Sequence, residues 1–470
     1  MNLKSISFYL SLFCFPISFL AFINILYASY FDYLLNIDTY FSTLIVSLLI
    51  GLGLFYHGRK SKKNINFIDQ LILIITSYFL TAILIAIPFF LSNYQLTFLN
   101  CVFESISGLT GTGFSIFEDI KYLDPTLILW RSSSQWIGGL FFLFFLIIIF
   151  SNKSFNYKLT NLTYAGENNF NSEIVIKENL FKIFIIYSIL SIIILTLFSF
   201  SGVRLYNSLN MSMTLVSGGG FLPTDNISKI ISTNFQKIIF IFSLLISMLN
   251  FYLLFNLFNK NALIKEHKED FYLIVLCTIF CILIYFNNFE SLDIIISVVS
   301  SLANSGLTLM ETDNNLSLYF LLITIVGGSL ISNSSGIKLT RFYILLKITS
   351  LEVTKLISPN SIINKTIFKS DKKISEESIK VSFLIFICFF VSLFILSSLL
   401  VFDNIGFEKS FKLSILTLTN TVNSEMFNMQ NLNFSNLLTS SKISLILFMI
   451  IGKIELISVF LIFKNFFFKD

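Results

Sequence analysis

Ten apolar stretches dominate the sequence, at 6–28, 41–57, 67–92, 127–150, 179–202, 234–258, 271–287, 316–347, 380–402 and 437–463. Each approaches or exceeds the ~20 residues that a helix needs to cross a bilayer. Within lipid, only helices and closed barrels satisfy their own backbone groups. Stretches of this length therefore predict an all-α membrane protein with ten transmembrane helices. Composition agrees: 55% of the 470 residues are apolar and 13% charged, with a mean hydropathy of +0.82. A soluble domain carries about 25% charged residues. A soluble enzyme, a disordered chain and a nucleic-acid binder are thereby excluded. The net charge of +5 comes from lysines in short runs between apolar stretches.

Cysteine and histidine exclude more. Cys14, Cys277, Cys281 and Cys388 lie inside apolar runs and Cys101 beside one, which argues against a disulfide framework. His57 and His267 are the two histidines, each at the edge of a polar connector. A histidine triad or a His-rich metal centre lacks raw material. The run from Ile6 to Tyr27 is too long for a signal-peptide core and reads as a retained helix.

The connectors alternate in character. Those after the second, fourth, sixth and eighth helices carry the lysines: Arg59-Lys60-Ser61-Lys62-Lys63, then Lys153 and Lys158, then Lys260, Lys265 and Lys268, then Lys355 through Lys373. The connector at 29–40 has none. Lys/Arg excess marks the cytoplasmic side. Both termini are thus expected in the cytoplasm, in agreement with Lys4, Lys464 and Lys469. The Lys-, Ser- and Asn-rich segment 349–379 reads as a cytoplasmic linker.

The connectors after helices three, five, seven and nine are long, and each holds a half-length apolar segment: Leu96–Leu109, Tyr206–Val216, Leu292–Leu302 and Phe411–Leu418. Such segments dip into the membrane and return. Irregular backbone survives at that depth only against protein or water. Each dip ends alike, in Thr110-Gly111-Thr112-Gly113, Ser217-Gly218-Gly219-Gly220, Asn304-Ser305-Gly306 and Asn420-Thr421-Val422. Small residues let backbone approach a common axis, and glycine permits left-handed dihedrals that aim successive carbonyls one way. A ring of such carbonyls can replace the hydration shell of an alkali cation, as in the selectivity filters of potassium channels. The half-helices would also turn their negative dipole ends toward that ion. Four copies at the same place in the topology predict a cation pore with these residues as its filter.

Helix eight is interrupted by Gly327-Gly328-Ser329 and by Ser332-Asn333-Ser334-Ser335-Gly336. Helix propensity is poor there, and an unwound loop beneath the filter is expected. Lys453 falls near the middle of the last helix, where an ionisable residue is a functional candidate by default. Glu104 sits on the first half-helix, read either as an attractor of cations or as a structural cap. Trp130, Arg131 and Trp136 read as interfacial anchors, and Lys338 and Arg341 as anchors on the cytoplasmic face.

These features resemble the potassium-translocating membrane subunits of the Trk/Ktr family, in its TrkH-like branch with two extra N-terminal helices. The resemblance is carried by Phe103-Glu104-Ser105-Ile106-Ser107-Gly108-Leu109-Thr110-Gly111-Thr112-Gly113, and by Trp130-Arg131 with Gln135-Trp136-Ile137-Gly138-Gly139. Further matches are Val326-Gly327-Gly328-Ser329, Gly336-Ile337-Lys338 with Arg341-Phe342, and Gly452-Lys453-Ile454-Glu455. It implies potassium uptake across the cytoplasmic (inner) membrane, with no enzymatic step and no cofactor. It also implies a pseudo-fourfold array of helix–half-helix–filter–helix repeats and a homodimer. The partner implied is a separate, TrkA-like nucleotide-binding regulatory subunit in the cytoplasm. The gate implied is the interrupted helix (Gly327, Gly328, Ser329, Ser334, Ser335, Gly336) together with Lys453 as an electrostatic barrier. The corresponding divisions are 1–65 for the N-terminal helix pair, then 66–165, 166–265, 266–375 and 376–470 for the four repeats. Two departures stand out. Val422 replaces the family's glycine, and Lys453 replaces its usual arginine, which keeps the charge but loses planar multi-donor bonding. Val422 keeps open a weakly selective Na+/K+ pore. A secondary carrier of an organic solute fits worse, because its repeats would be inverted. A membrane enzyme lacks the necessary clustered His, Asp or Glu.

Overall fold

The computed structural model describes residues 2–33, 36–61, 67–150, 173–258, 268–286, 289–310, 314–358, 366–368, 374–429 and 432–454. Lys62, Lys63, Lys153, Lys158, Lys260, Lys265, Lys373, Glu455, Lys464 and Lys469, on which parts of the topology reading stand, lie outside these residues.

Every regular element among the described residues is helical. Helix α1 (Leu3–Tyr30) packs along α2 (Ile37–Gly58), and α3 (Phe67–Leu91) follows. Helix α4 (Phe98–Thr110) is half as long, and α5 (Pro125–Phe150) returns to full length. Next come α6 (Glu173–Phe200), the short α7 (Leu205–Ser217) and a helix split into α8 (Asn234–Met248) and α9 (Phe251–Phe258). Helix α10 (Lys268–Tyr285) leads to the short α11 (Ser291–Leu302). Beyond it, α12 (Asn314–Val326) and α13 (Leu339–Ile357) flank an irregular loop. Last are α14 (Glu376–Phe402), the short α15 (Phe407–Leu418) and α16 (Thr439–Ile454).

Among the described residues, five helices are long and apolar enough to cross a bilayer: Leu3–Tyr30, Ile37–Gly58, Ile68–Leu91, Leu180–Phe200 and Glu376–Phe402. Their polarity is inverted relative to a soluble protein. Helix α14 exposes Phe383, Ile387, Val391 and Phe394 while burying Ser378, Ser382, Ser392 and Ser397. An apolar outer face this large is costly in water and suits a lipid surround. The buried hydroxyls satisfy themselves locally, as Ser382 Oγ does by donating to the Ser378 carbonyl at 2.7 Å.

Helix ends follow from the sequence. Thr233 and Gln236 form a capping box at the start of α8, which satisfies two otherwise orphaned donors. Helix α15 starts at Phe407, one turn before the apolar segment read from the sequence. Its first turn is charged and was therefore hidden; Glu408 pairs with Lys412 at 2.8 Å. The break between α8 and α9 was also unforeseen. There the Met248 carbonyl accepts from Ser329 N–H at 3.0 Å instead of from its own helix.

The short helices are the inner layer. Helix α4 packs between α3 and α5, α7 between α6 and α8, α11 between α10 and α12, and α15 between α14 and α16. Contacts of α5 with α7, α8 with α11, α12 with α15 and α16 with α4 close a circuit.

Candidate functional site

Each short helix ends in one of the four small-residue turns. The residue just past the helix, or one beyond, is left-handed in every case: Gly111 (φ +79°), Gly218 (+70°), Asn304 (+60°) and Asn420 (+50°). Glycine adopts this conformation freely, and asparagine is among the few other residues that tolerate it. The four turns are thus alike in backbone, although two use glycine and two asparagine.

The turns touch in cyclic order. A Cβ on Gly113 would lie 3.0 Å from Gly220 Cα, and one on Gly220 would lie 2.9 Å from the Ser305 carbonyl oxygen. A Cβ on Gly306 would lie 3.0 Å from Val422 Cγ1. The circuit closes where Asn420 Nδ2 donates to Thr112 Oγ1 at 3.0 Å. At the other level, a Cβ on Gly218 would lie 3.5 Å from the Ala303 carbonyl oxygen. Thr110, Thr112, Ser217, Ser305 and Thr421 are buried among them. Gly219 lies against the Gln135 carboxamide, which also accepts Phe221 N–H at 3.2 Å.

Val422 departs from glycine without strain, because its φ is not positive. Gly220 is not left-handed either, whereas Gly113 and Gly306 are (+79° and +72°). The last position of the motif therefore needs glycine for its dihedrals in two turns only. In the second turn the constraint is space, since a Cβ on Gly220 would lie 2.5 Å from Val422 Cβ; in the fourth, the Val422 side chain occupies that space.

Directly against the turns lies the loop 327–338. Asn333 Nδ2 donates to the Val216 carbonyl at 2.9 Å. Ser335 N–H donates to Asn304 Oδ1 at 3.1 Å, and Ser335 Oγ to Asn420 Oδ1 at 2.9 Å. Lys453 Nζ donates to the Asn333 carbonyl at 2.8 Å and lies 3.9 Å from where Gly111 would carry a Cβ. It also sits 5.0 Å from the Phe142 ring centroid, within cation–π range. Gly327 and Gly336 are left-handed, and a Cβ on Gly327 or Gly328 would run into the Ser335 or Met248 carbonyl. Gly328 N–H donates to Ser334 Oγ at 3.1 Å. The four turns, the loop 327–338 and Lys453 thus lie against one another.

Two cavities flank that centre. One, of about 220 Å³, is floored by Gly113, Gly220 and Val422 and walled in part by Asp225 and Glu425. The other, of about 20 Å³, is lined by Ser334, Ser335, Gly336 and Lys453; that is room for about one water. The described residues contain no group of His, Cys, Asp and Glu able to hold a metal ion.

Of the two roles the sequence left open for Glu104, the structural one fits: it is buried and pairs with Arg131 Nε at 2.7 Å. Its second oxygen accepts Ile116 N–H at 2.9 Å, so it caps the chain just past Gly113. Arg131, Trp130 and Trp136 are not interfacial anchors but buried groups. Trp130 Nε1 donates to the Ile85 carbonyl at 3.0 Å, and Trp136 Nε1 to Ser191 Oγ at 2.8 Å. Lys338 and Arg341 are likewise buried rather than facing the cytoplasm. Lys338 Nζ donates to the Ser332 carbonyl at 3.3 Å and to the Ser334 carbonyl. Desolvating a charge is tolerable only when donors and acceptors surround it, and the loop carbonyls provide the acceptors.

No protein-family model matches the chain. An uncharacterized cation transporter of Methanocaldococcus jannaschii is 25% identical over 452 residues, 92% of this chain and 90% of its own length. The Trk system potassium uptake protein TrkG of Escherichia coli is 25% identical over 468 residues, 93% of this chain and 92% of its own. TrkH of the same organism is 26% identical over 355 residues, 68% of this chain and 70% of its own. The structure of the potassium transporter TrkH from Vibrio parahaemolyticus superposes with a TM-score of 0.84 at 18% identity, covering 100% of both chains. The resemblance carried by the motifs is thereby borne out: the chain is a homologue of the Trk potassium uptake proteins and has the fold of TrkH.

Proposed function

We propose that this chain is the membrane pore subunit of a potassium uptake system, passing K+ through a carbonyl-lined filter. The filter is formed by Thr110 to Gly113, Ser217 to Gly220, Asn304 to Gly306 and Asn420 to Val422. The observation that carries the reading is the contact of these four turns in cyclic order at the ends of four half-length helices. Stripping an ion of water costs tens of kcal/mol unless its surroundings replace the lost oxygens, and backbone from four sides is what such replacement requires. The names of the sequence relatives, potassium uptake proteins and a cation transporter, point the same way.

In this reading ten helical spans cross the cytoplasmic membrane with both termini inside. They divide into a helix pair (1–65) and four pore repeats (66–165, 166–265, 266–375, 376–470). The loop 327–338 and Lys453 act as the gate beneath the filter, with the ammonium group held by the Asn333 carbonyl as an electrostatic barrier. The functional unit is a homodimer regulated by a separate TrkA-like nucleotide-binding subunit. No cofactor is required.

A second reading, a weakly selective Na+/K+ pore, rests on one observation. The branched Val422 side chain abuts Gly113, Gly220 and Gly306 at the last filter position. Both readings are tested by rescue of a potassium-uptake-deficient bacterium on low-potassium medium, followed by flux into liposomes with competing alkali cations. Rescue with K+ preferred over Na+ supports the first reading, and rescue without discrimination supports the second. Failure of the expressed protein to move either ion removes both.

A further inference from the structure

The loop 327–338 is held from two sides. On the filter side, Lys453 Nζ bonds the Asn333 carbonyl. On the far side, Glu269 in the first turn of α10 accepts Leu330 N–H through Oε1 at 3.0 Å. The two anchor points are three residues apart. Glu269 is only 5% exposed, so its carboxylate is held away from water by an interaction that must offset the desolvation. Its neighbour Asp270, 3% exposed, accepts Asn250 N–H at 2.9 Å, at the break between α8 and α9. That break is itself stitched to the loop, where Phe251 N–H donates to the Ile331 carbonyl at 2.8 Å and Ser329 N–H to the Met248 carbonyl at 3.0 Å. Two adjacent carboxylates at one helix end thus hold both the broken helix and the loop that leans on it.

We propose that Glu269 is a positioning residue of the gate: it holds the back of the 327–338 loop so that the loop and Lys453 stay beneath the filter. The inference rests on the gate reading above. Acidic residues in a first turn also stabilise their own helix through its dipole, and that ordinary role predicts a different result. Loss of helix stability would lower the melting temperature and the yield. Loss of a loop anchor would raise ion leak through folded protein.

The test uses the full chain reconstituted in liposomes, with radiolabelled rubidium flux, K+/Na+ competition and melting temperature read on Lys453→Ala, Glu269→Ala, Glu269→Gln and the double variant. Lys453→Ala should raise basal flux. Glu269→Ala should raise it by about tenfold, the upper scale of one lost hydrogen bond, with the K+/Na+ ratio unchanged. Glu269→Gln keeps an acceptor oxygen for Leu330 and should behave like the parent. Because both anchors act on one loop, the double variant should leak no more than the leakier single one. If Glu269→Ala does not assemble, Glu269→Asp retains the charge while withdrawing the acceptor by one methylene, and the same rise is expected. The proposal fails if a folded Glu269 variant lacking the acceptor leaks no more than the parent. It also fails if Gln leaks as much as Ala, or if the two effects multiply. Unchanged flux in Lys453→Ala alone would instead overturn the gate reading.

Discussion

Glu104 and Arg131 are joined at 2.7 Å with both side chains sealed from solvent, 0% and 1% exposed. The same guanidinium donates from Nη2 to Ser115 Oγ at 2.9 Å and lies 4.1 Å from the Phe221 ring centroid. It therefore braces the chain just past Gly113 and just past Gly220 at once. Removing one partner of a buried pair leaves an uncompensated charge, at a cost of about 3–5 kcal/mol. Arg131→Ala should lower the melting temperature of the purified protein sharply and abolish uptake. Arg131→Lys keeps the charge but cannot serve Glu104 and Ser115 in the same planar geometry, so it should fall between the two.

Gly138 of α5 lies where a Cβ would sit 1.9 Å from the Leu109 carbonyl oxygen, and Gly452 of α16 where one would sit 2.4 Å from that of Leu418. Helices α5 and α16 thus touch the ends of α4 and α15 at matching places. Gly138→Ala must push α5 away from α4, and overpacking of this kind costs about 1–3 kcal/mol. Gly53 of α2 has nothing within 4 Å of its would-be Cβ. Gly53→Ala should be neutral or stabilising by up to about 1 kcal/mol, from helix propensity. Thermal unfolding of the two variants side by side checks the contrast.

Asn420 combines a left-handed backbone with three side-chain bonds: Nδ2 to Thr112 Oγ1 and to the Met449 carbonyl, and Oδ1 from Ser335 Oγ. Asn420→Gly keeps the dihedral and loses the bonds, whereas Asn420→Ala loses both. Alanine should therefore be worse than glycine by about 1–2 kcal/mol. The expected order of melting temperature and of flux is parent, then glycine, then alanine.

Val422→Gly removes the branched side chain from against Gly113, Gly220 and Gly306 without asking the backbone for a new conformation. K+ preference over Na+ in liposome competition should rise about fivefold, equivalent to roughly 1 kcal/mol. A ratio unchanged or lowered would remove Val422 from any account of selectivity.

The half-length helices and their terminal turns were legible because apolar length and small-residue composition are local signals. The left-handed asparagines were legible in principle: Asn304 and Asn420 fill the place of Gly111 and Gly218, and asparagine is the usual substitute there. The charged residues misled for a physical reason. An arginine or lysine at the edge of an apolar run reads the same whether it reaches for the interface or turns inward, and only a partner distant in sequence decides. Arg131 finds Glu104 twenty-seven positions away, and Lys338 finds the carbonyls of a loop that had first to unwind. The break after Met248 carried no glycine or proline. Its cause lies in Ser329, Ile331 and Asp270, which bond the freed backbone from other parts of the chain.

All four turns belong to one polypeptide, so each is free to drift alone. In an assembly of identical subunits, a valine at the last position would arrive in quadruplicate and crowd the axis with four branched groups. Here a single Val422 faces three glycines, so a substitution at one turn alters one quarter of the ring and leaves the other three as they are.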